Sequence, residues 1–371
     1  MANRVIFLPG LNGIRTIAAL GVIFSHINLA LEAFGFGAYS LFGFTKNGKA
    51  KSWVLGEHGV TMFFVLSGFL ITYLLLKEFE KTNTIDIRKF YIRRILRIWP
   101  LYFLYLFLTL FFLRDEMTLD YNLTYYLTFL ANVPFVMKQS YAGMDHLWSI
   151  SIEEQFYLFW PFMFLLFVKG KFLSKVFYFI VLLSLLRVFI WAIVPFSTLA
   201  LFSLVNRFDC MALGALGAYL VQSRYKIIEI VNLKWAQVVA WSILLLLILD
   251  KFHFINSILE VFVVEIVTII IIIGQINVKN RLINLENRGF SYIGKLSFGL
   301  YVYHPLVIIL AHKYLKFNVF ESIYLDVIGV FLFVFFVTLL VAHISYFYFE
   351  KWFLNLKGKY SVVDSSNSKG S

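Results

Sequence analysis

Ten stretches of the chain are apolar over a length that suits a lipid bilayer: about 10–31, 57–76, 98–113, 147–167, 175–194, 201–221, 235–250, 257–275, 292–313 and 324–349. A helix rises about 1.5 Å per residue, so about 20 such residues match a hydrocarbon core of about 30 Å. With 61% hydrophobic and 15% charged residues and a mean hydropathy of +0.81, a soluble globular domain is excluded. The pattern predicts an all-α polytopic membrane protein of about ten transmembrane helices, a single domain over residues 1–357. A further aromatic-rich run, Tyr121 to Met137, is interrupted by Asn122, Asn132 and Pro134 and reads as interfacial or re-entrant.

Charge sets the orientation. A net charge of +12 would suggest nucleic acid in a soluble chain, but here the basic residues sit in short loops between apolar runs. With ten spans and the N-terminus inside, 21 of the 33 Lys and Arg fall in cytoplasmic segments and 8 in outer loops. Counting 121–137 as a span would invert the later loops and leave the outside richer, against the positive-inside rule. Both termini are therefore expected in the cytoplasm, with membrane lipid and not nucleic acid as the surrounding partner. The first run is too long for a cleavable signal and carries charge, so it is expected to stay in the mature protein. No internal repeat recurs, and residues 358–371, GKYSVVDSSNSKGS, read as a disordered tail.

Arg15 and His26 lie inside the first run, eleven residues apart. That spacing is about three helical turns, so both share one stripe, roughly 16 Å apart along the axis. A charge in hydrocarbon costs about 2.5–3.5 kcal/mol, so the stripe faces protein or water. Arg15 snorkelling to headgroups beside a satisfied core histidine accounts for the pair equally well. Depth counting at 1.5 Å per residue puts His26, His146, Glu153, Arg207 and Asp209 in one outer layer, with His304 nearer the midplane. Unrelated interhelical pairs, such as Arg207 with Glu154, explain some of these. A common polar cavity explains the layer better.

At the inner face, Lys77 to Arg97 holds seven basic residues. Arg93, Arg94 and Arg97 would present three guanidiniums on adjoining faces of a helix end. An orientation signal or contact with anionic lipid would need no more than this charge. A polyphosphate site would use the guanidinium forks. Other chemistries find little support. Cys210 is the one cysteine, in an apolar stretch with no activating neighbour. No GxSxG elbow and no HExxH or similar metal spacing occurs.

Taken together, these segments resemble acyltransferase family 3, the integral-membrane O-acyltransferases that include O-antigen and peptidoglycan O-acetyltransferases. The resemblance rests on LNGIRTIAALGVIFSH, FFVLSGFLIT, RRILRIWPLY, HLWSISIEEQFYLFWP, RFDCMALGALGAYL, LSFGLYVYHPLV and FEKWF, in order along nearly the whole chain. Trp352 stands where the family usually has Pro, which weakens the last match. The family implies transfer of an acyl group, commonly acetyl, from cytoplasmic acetyl-CoA to a hydroxyl of a surface or lipid-linked glycan, in a bacterial plasma membrane. By resemblance His26 is catalytic with Arg15 as its partner, Glu153 and Glu154 belong to the functional motif, and Arg94 and Arg97, with Arg93 beside them, belong with the CoA donor. Ser67, His146, Arg207, Asp209 and His304 are further candidates for substrate contact. Acyl-CoA is expected as co-substrate, with no tightly bound cofactor and no metal. Many relatives append an extracytoplasmic hydrolase-like domain; the expectation here is a membrane domain that reaches its acceptor itself or through a separate protein.

A sugar hydroxyl needs a base, and imidazole suits that task at neutral pH. The expectation is that His26 takes the proton while Glu153, or Glu154, orients the ring. Arg15, three turns away, is expected to steady the donor's polar arm. An acyl-histidine intermediate is open chemically. A glycolipid transporter or flippase is the competing class, but it leaves the inner arginines unexplained.

Overall fold

A computed structural model describes residues 6–252, 257–278, 281–319, 322–361 and 365–366. The regular structure of the described residues is helical apart from one short strand pair and an isolated bridge. In chain order the helices are α1 Leu11–Leu29, α2 Val54–Thr82, α3 Ile87–Leu113, α4 Asn122–Leu127, α5 Asn132–Val136, α6 Leu147–Val168, α7 Phe172–Ile193 and α8 Thr198–Val205. There follow α9 Phe208–Gln222, α10 Ile227–Val231, α11 Lys234–Ile248, α12 Ser257–Ile276, α13 Arg288–Tyr314, α14 Ile323–Ser345 and α15 Lys351–Gly358. A π-helical turn, Tyr346–Glu350, joins the last two. Ile6–Phe7 and Ser365–Ser366 form a short parallel pair, and the rest of the expected tail beyond Ser361 lies outside the described residues.

Each of the ten apolar runs contains helix, and seven helical stretches among the described residues are long and apolar enough to cross a membrane. These are α2, α3, α7, α8 with α9, α12, α13, and α14 with α15. The protein is an integral membrane protein. The shortfall from ten has local causes. Polar residues such as Asn12, Arg15, His26 and Asn28 dilute α1, Ser149 to Gln155 dilute α6, and α11 is only 15 residues long. The run at Tyr121–Met137 is two short helices, α4 and α5, of six and five residues, far below a crossing length. Phe129, between them, has φ 57°, a left-handed turn that ends α4.

Capping side chains fix several helix starts. Asp86 Oδ1 accepts from Lys89 N at 2.9 Å at the head of α3, and Asn287 Oδ1 accepts from Phe290 N at 2.9 Å at α13. Between helices the packing relies on small residues, because lipid supplies no hydrophobic drive for helices to associate. A Cβ at Gly68 on α2 would overlap the Met211 carbonyl of α9, and one at Gly294 on α13 would overlap the Asn12 carbonyl of α1. Both pairs therefore meet backbone to backbone. Thr16 Oγ1 of α1 donates to the Phe290 carbonyl at 2.7 Å, and Gly10 N donates to Glu286 Oε2 at 2.6 Å, which pins α1 to the start of α13. The contact fixes the level at which their later side chains face each other.

Candidate active site

At the far end of the α1–α13 contact, His26 Nδ1 lies 2.7 Å from His304 Nε2. His304 is fully buried, and its Nδ1 lies 3.2 Å from the Leu300 carbonyl. A carbonyl can only accept, so Nδ1 of His304 carries the proton and, in the neutral ring, Nε2 accepts. His26 must then donate through Nδ1. Its Nε2 is left with a free lone pair. Pro305 follows His304 inside α13 and has no N–H to give the Tyr301 carbonyl, so the backbone around the pair is open to side-chain partners. His146, at the buried head of α6, approaches the same pair, with its ring centre 5.5 Å from that of His304. Its Nε2 donates to the Val302 carbonyl at 3.0 Å, which leaves Nδ1 buried and without a partner.

Toward the start of α1 lies a cavity of about 120 Å³ whose polar lining includes Arg15, Ser67, Arg94, Arg97, Glu153 and Tyr157. Glu153 accepts from Ser67 Oγ at 2.8 Å and from Tyr157 OH at 3.2 Å. Arg15 reaches Asn12 Oδ1 at 3.4 Å. The guanidinium of Arg94 lies over the Tyr157 ring, 5.8 Å from its centre, and that of Arg97 over Phe298 at 5.9 Å. Among the described residues no carboxylate stands within ion-pairing distance of Arg15, Arg94 or Arg97. Arg94 Nε is buried with no hydrogen-bond partner. Arg93 differs, since its Nη2 pairs with Glu78 at 3.0 Å.

Tyr301 and Ser149 stand between the cavity and the histidines. Both line the cavity, one hydroxyl donates to the other at 2.6 Å, and both oxygens lie 3.1 Å from the His146 carbonyl, which accepts from the hydroxyl whose proton remains. The Tyr301 ring centre is 5.8 Å from that of His304. Residues that could hold an anion thus sit at one end of α1, and a base with an open nitrogen at the other.

The residues singled out from sequence fall into three groups. His26, His146 and His304 come together. Arg15, Ser67, Glu153, Arg94 and Arg97 share the cavity, while Glu154 turns away and accepts from Trp99 Nε1 at 2.8 Å. Arg207 and Asp209 lie elsewhere: Arg207 Nη1 donates to Thr61 Oγ1 at 2.7 Å, and Asp209 takes a two-pronged pair from Arg187 at 2.7 Å. Glu153 therefore does not contact His26. Helix α6 begins inside the protein, where His146 is only 3% exposed, so Glu153 lies a further seven residues, about 10 Å, toward the Arg15 end. Tyr157, Ser149 and Tyr301 were missed. Tyr157 follows Glu153 by four residues on one helical face, and that signal was present.

The family model described as an acyltransferase domain matches residues 8–347. The protein named O-acetyltransferase OatA of Staphylococcus aureus strain NCTC 8325 is 27% identical over 371 residues, covering 93% of this chain and 57% of its own length. A Staphylococcus aureus strain COL protein, provisionally named an O-acetyltransferase, is 28% identical over 342 residues, 84% of this chain and 52% of its own. The chain spans about half the length of these curated relatives. No solved structure matches it. On the match across residues 8–347, the chain belongs to acyltransferase family 3.

Proposed function

We propose that the protein transfers an acyl group, acetyl by analogy with the named relatives, from cytoplasmic acyl-CoA to a hydroxyl of a cell-envelope or lipid-linked glycan. The observation that carries this reading is the His26–His304 pair with a free Nε2, set three turns along α1 from arginines that have no carboxylate at ion-pairing distance among the described residues. In this reading all ten helical runs cross a bacterial plasma membrane and both termini are cytoplasmic. The arginine end of the cavity then opens toward the compartment that holds the donor.

The steps follow from the free nitrogen. His26 Nε2 accepts the proton of the acceptor hydroxyl as its oxygen attacks the thioester carbonyl. The C–S bond breaks, and the departing thiolate takes that proton back from His26. His304 Nε2 accepts the Nδ1–H throughout, which holds the ring and stabilises the imidazolium, the task a carboxylate performs in hydrolytic triads. Arg94 and Arg97 hold the donor phosphates. Arg15 steadies the arm between, and Glu153 offsets its charge. Arg15 and His26 are roughly 16 Å apart along α1, a span suited to an extended thioester arm.

The test is purified protein in nanodiscs, given acetyl-CoA and extracted envelope glycan. Release of free CoA together with acetylated glycan supports the assignment. Glycan-independent retention of acetyl-CoA with no product sinks it.

A further inference from the structure

The helix that carries Arg94 and Arg97 is packed by a segment from the end of the chain that brings a further cation. Lys357 sits on α15, which packs along α3 after the π turn Tyr346–Glu350. A π turn shifts the register of everything that follows it, and such turns gather at functional sites. Just past α15, the Tyr360 carbonyl accepts from Arg93 Nη1 at 3.0 Å, which ties this segment to α3. Lys357 is half-buried on the segment that packs against α3, the helix that carries Arg93, Arg94 and Arg97. Among the described residues, Arg93 alone of these arginines has an ion-paired acid, Glu78. Glu153 and Glu350 are the acids near Arg15 and Arg97, and neither comes within ion-pairing distance. Gathered cations repel, and partial burial strips the water that would screen them. An anion that binds among them relieves both costs.

We propose that Lys357 is a donor-binding residue, and that α15 is a strap that lays its ammonium beside Arg94 and Arg97 to take a phosphate oxygen of the acyl-CoA. The proposal rests on the reading of Arg94 and Arg97 as the donor's phosphate clamp. An anionic lipid headgroup has the same phosphate chemistry, so the test separates the two sources.

The full chain is placed in nanodiscs with and without phosphatidylglycerol, and CoA binding is titrated calorimetrically for wild type, Lys357→Gln, Lys357→Arg and Arg94→Gln. Thermal unfolding of each variant confirms that it is folded. Lys357→Gln is expected to weaken CoA binding about tenfold or more in both kinds of disc, the loss of one charge-assisted hydrogen bond. Lys357→Arg should keep most of the affinity. Unchanged CoA affinity in Lys357→Gln, with a loss in Arg94→Gln, overturns the strap while leaving the clamp. Unchanged affinity in both removes the clamp reading itself. A Lys357 effect seen only as lost dependence on phosphatidylglycerol assigns the site to lipid and overturns the proposal.

Discussion

His26 and His304, 278 residues apart in sequence, share a 2.7 Å hydrogen bond whose direction is set by a third group, the Leu300 carbonyl. The direction matters more than the contact. It leaves the unprotonated nitrogen of His26 as the one that can accept a proton from substrate. Replacing His304 by Ala frees the ring to adopt the other tautomer. The expected result is a fall in kcat of about a hundredfold, within the range for a displaced general base, with KM for acyl-CoA unchanged. Steady-state kinetics on folded His304→Ala checks it; an equal rise in KM would assign His304 to donor binding instead.

Glu153 lies with Arg15 at the arginine end of α1 and not beside His26. Its carboxylate, held by Ser67 and Tyr157, lines the same cavity as the Arg15 guanidinium. Glu153→Gln and Arg15→Gln should be strongly non-additive in a double-mutant cycle on kcat/KM. Glu153→Gln with His304→Ala should be close to additive. The reverse pattern would place the carboxylate with the histidines.

The Arg94 and Arg97 side chains line the cavity, and the proposed reading gives them the donor phosphates. Arg94→Gln or Arg97→Gln should raise KM for acyl-CoA by roughly ten- to a hundredfold, with kcat largely spared. Lysine at either place should restore part of the loss, since it keeps the charge and not the fork. Donor titration at fixed salt decides. An unchanged KM in all four variants would return the cluster to orientation alone.

Asp209 and Arg187 form a buried pair away from the cavity, both under 10% exposed. Removing one partner strands a charge. Asp209→Ala should lower stability by about 3–5 kcal/mol, and Arg187→Met with Asp209→Leu should recover most of it. Thermal unfolding in detergent measures both. A fully stable Asp209→Ala with lost turnover would instead make Asp209 part of the substrate path.

The helical runs were legible because apolar length is a one-dimensional signal, and Arg15 with His26 stood out because charge inside such a run is rare. The partner of His26 was not legible. Depth counting points to Glu153 or Glu154 and sets His304 nearer the midplane; what brings His304 to His26 instead is the backbone contact of Gly294 with Asn12, together with the inward start of α6. The FFVLSGFLIT and RFDCMALGALGAYL segments carry part of their pattern for packing, with Gly68 of the first pressed on Met211 of the second. Lys357 gave no signal at all, since a lysine near a basic end is ordinary until a π turn and a strap bring it back onto α3.

The central claim is that the free Nε2 of His26 is the base. The most direct measurement is single-turnover acetyl transfer by His26→Ala and His26→Gln in nanodiscs, with CoA affinity determined on the same samples. The account predicts a rate reduced about 10²–10⁴-fold in both, at unchanged CoA affinity and unfolding temperature. Near-normal transfer by either folded variant would contradict it.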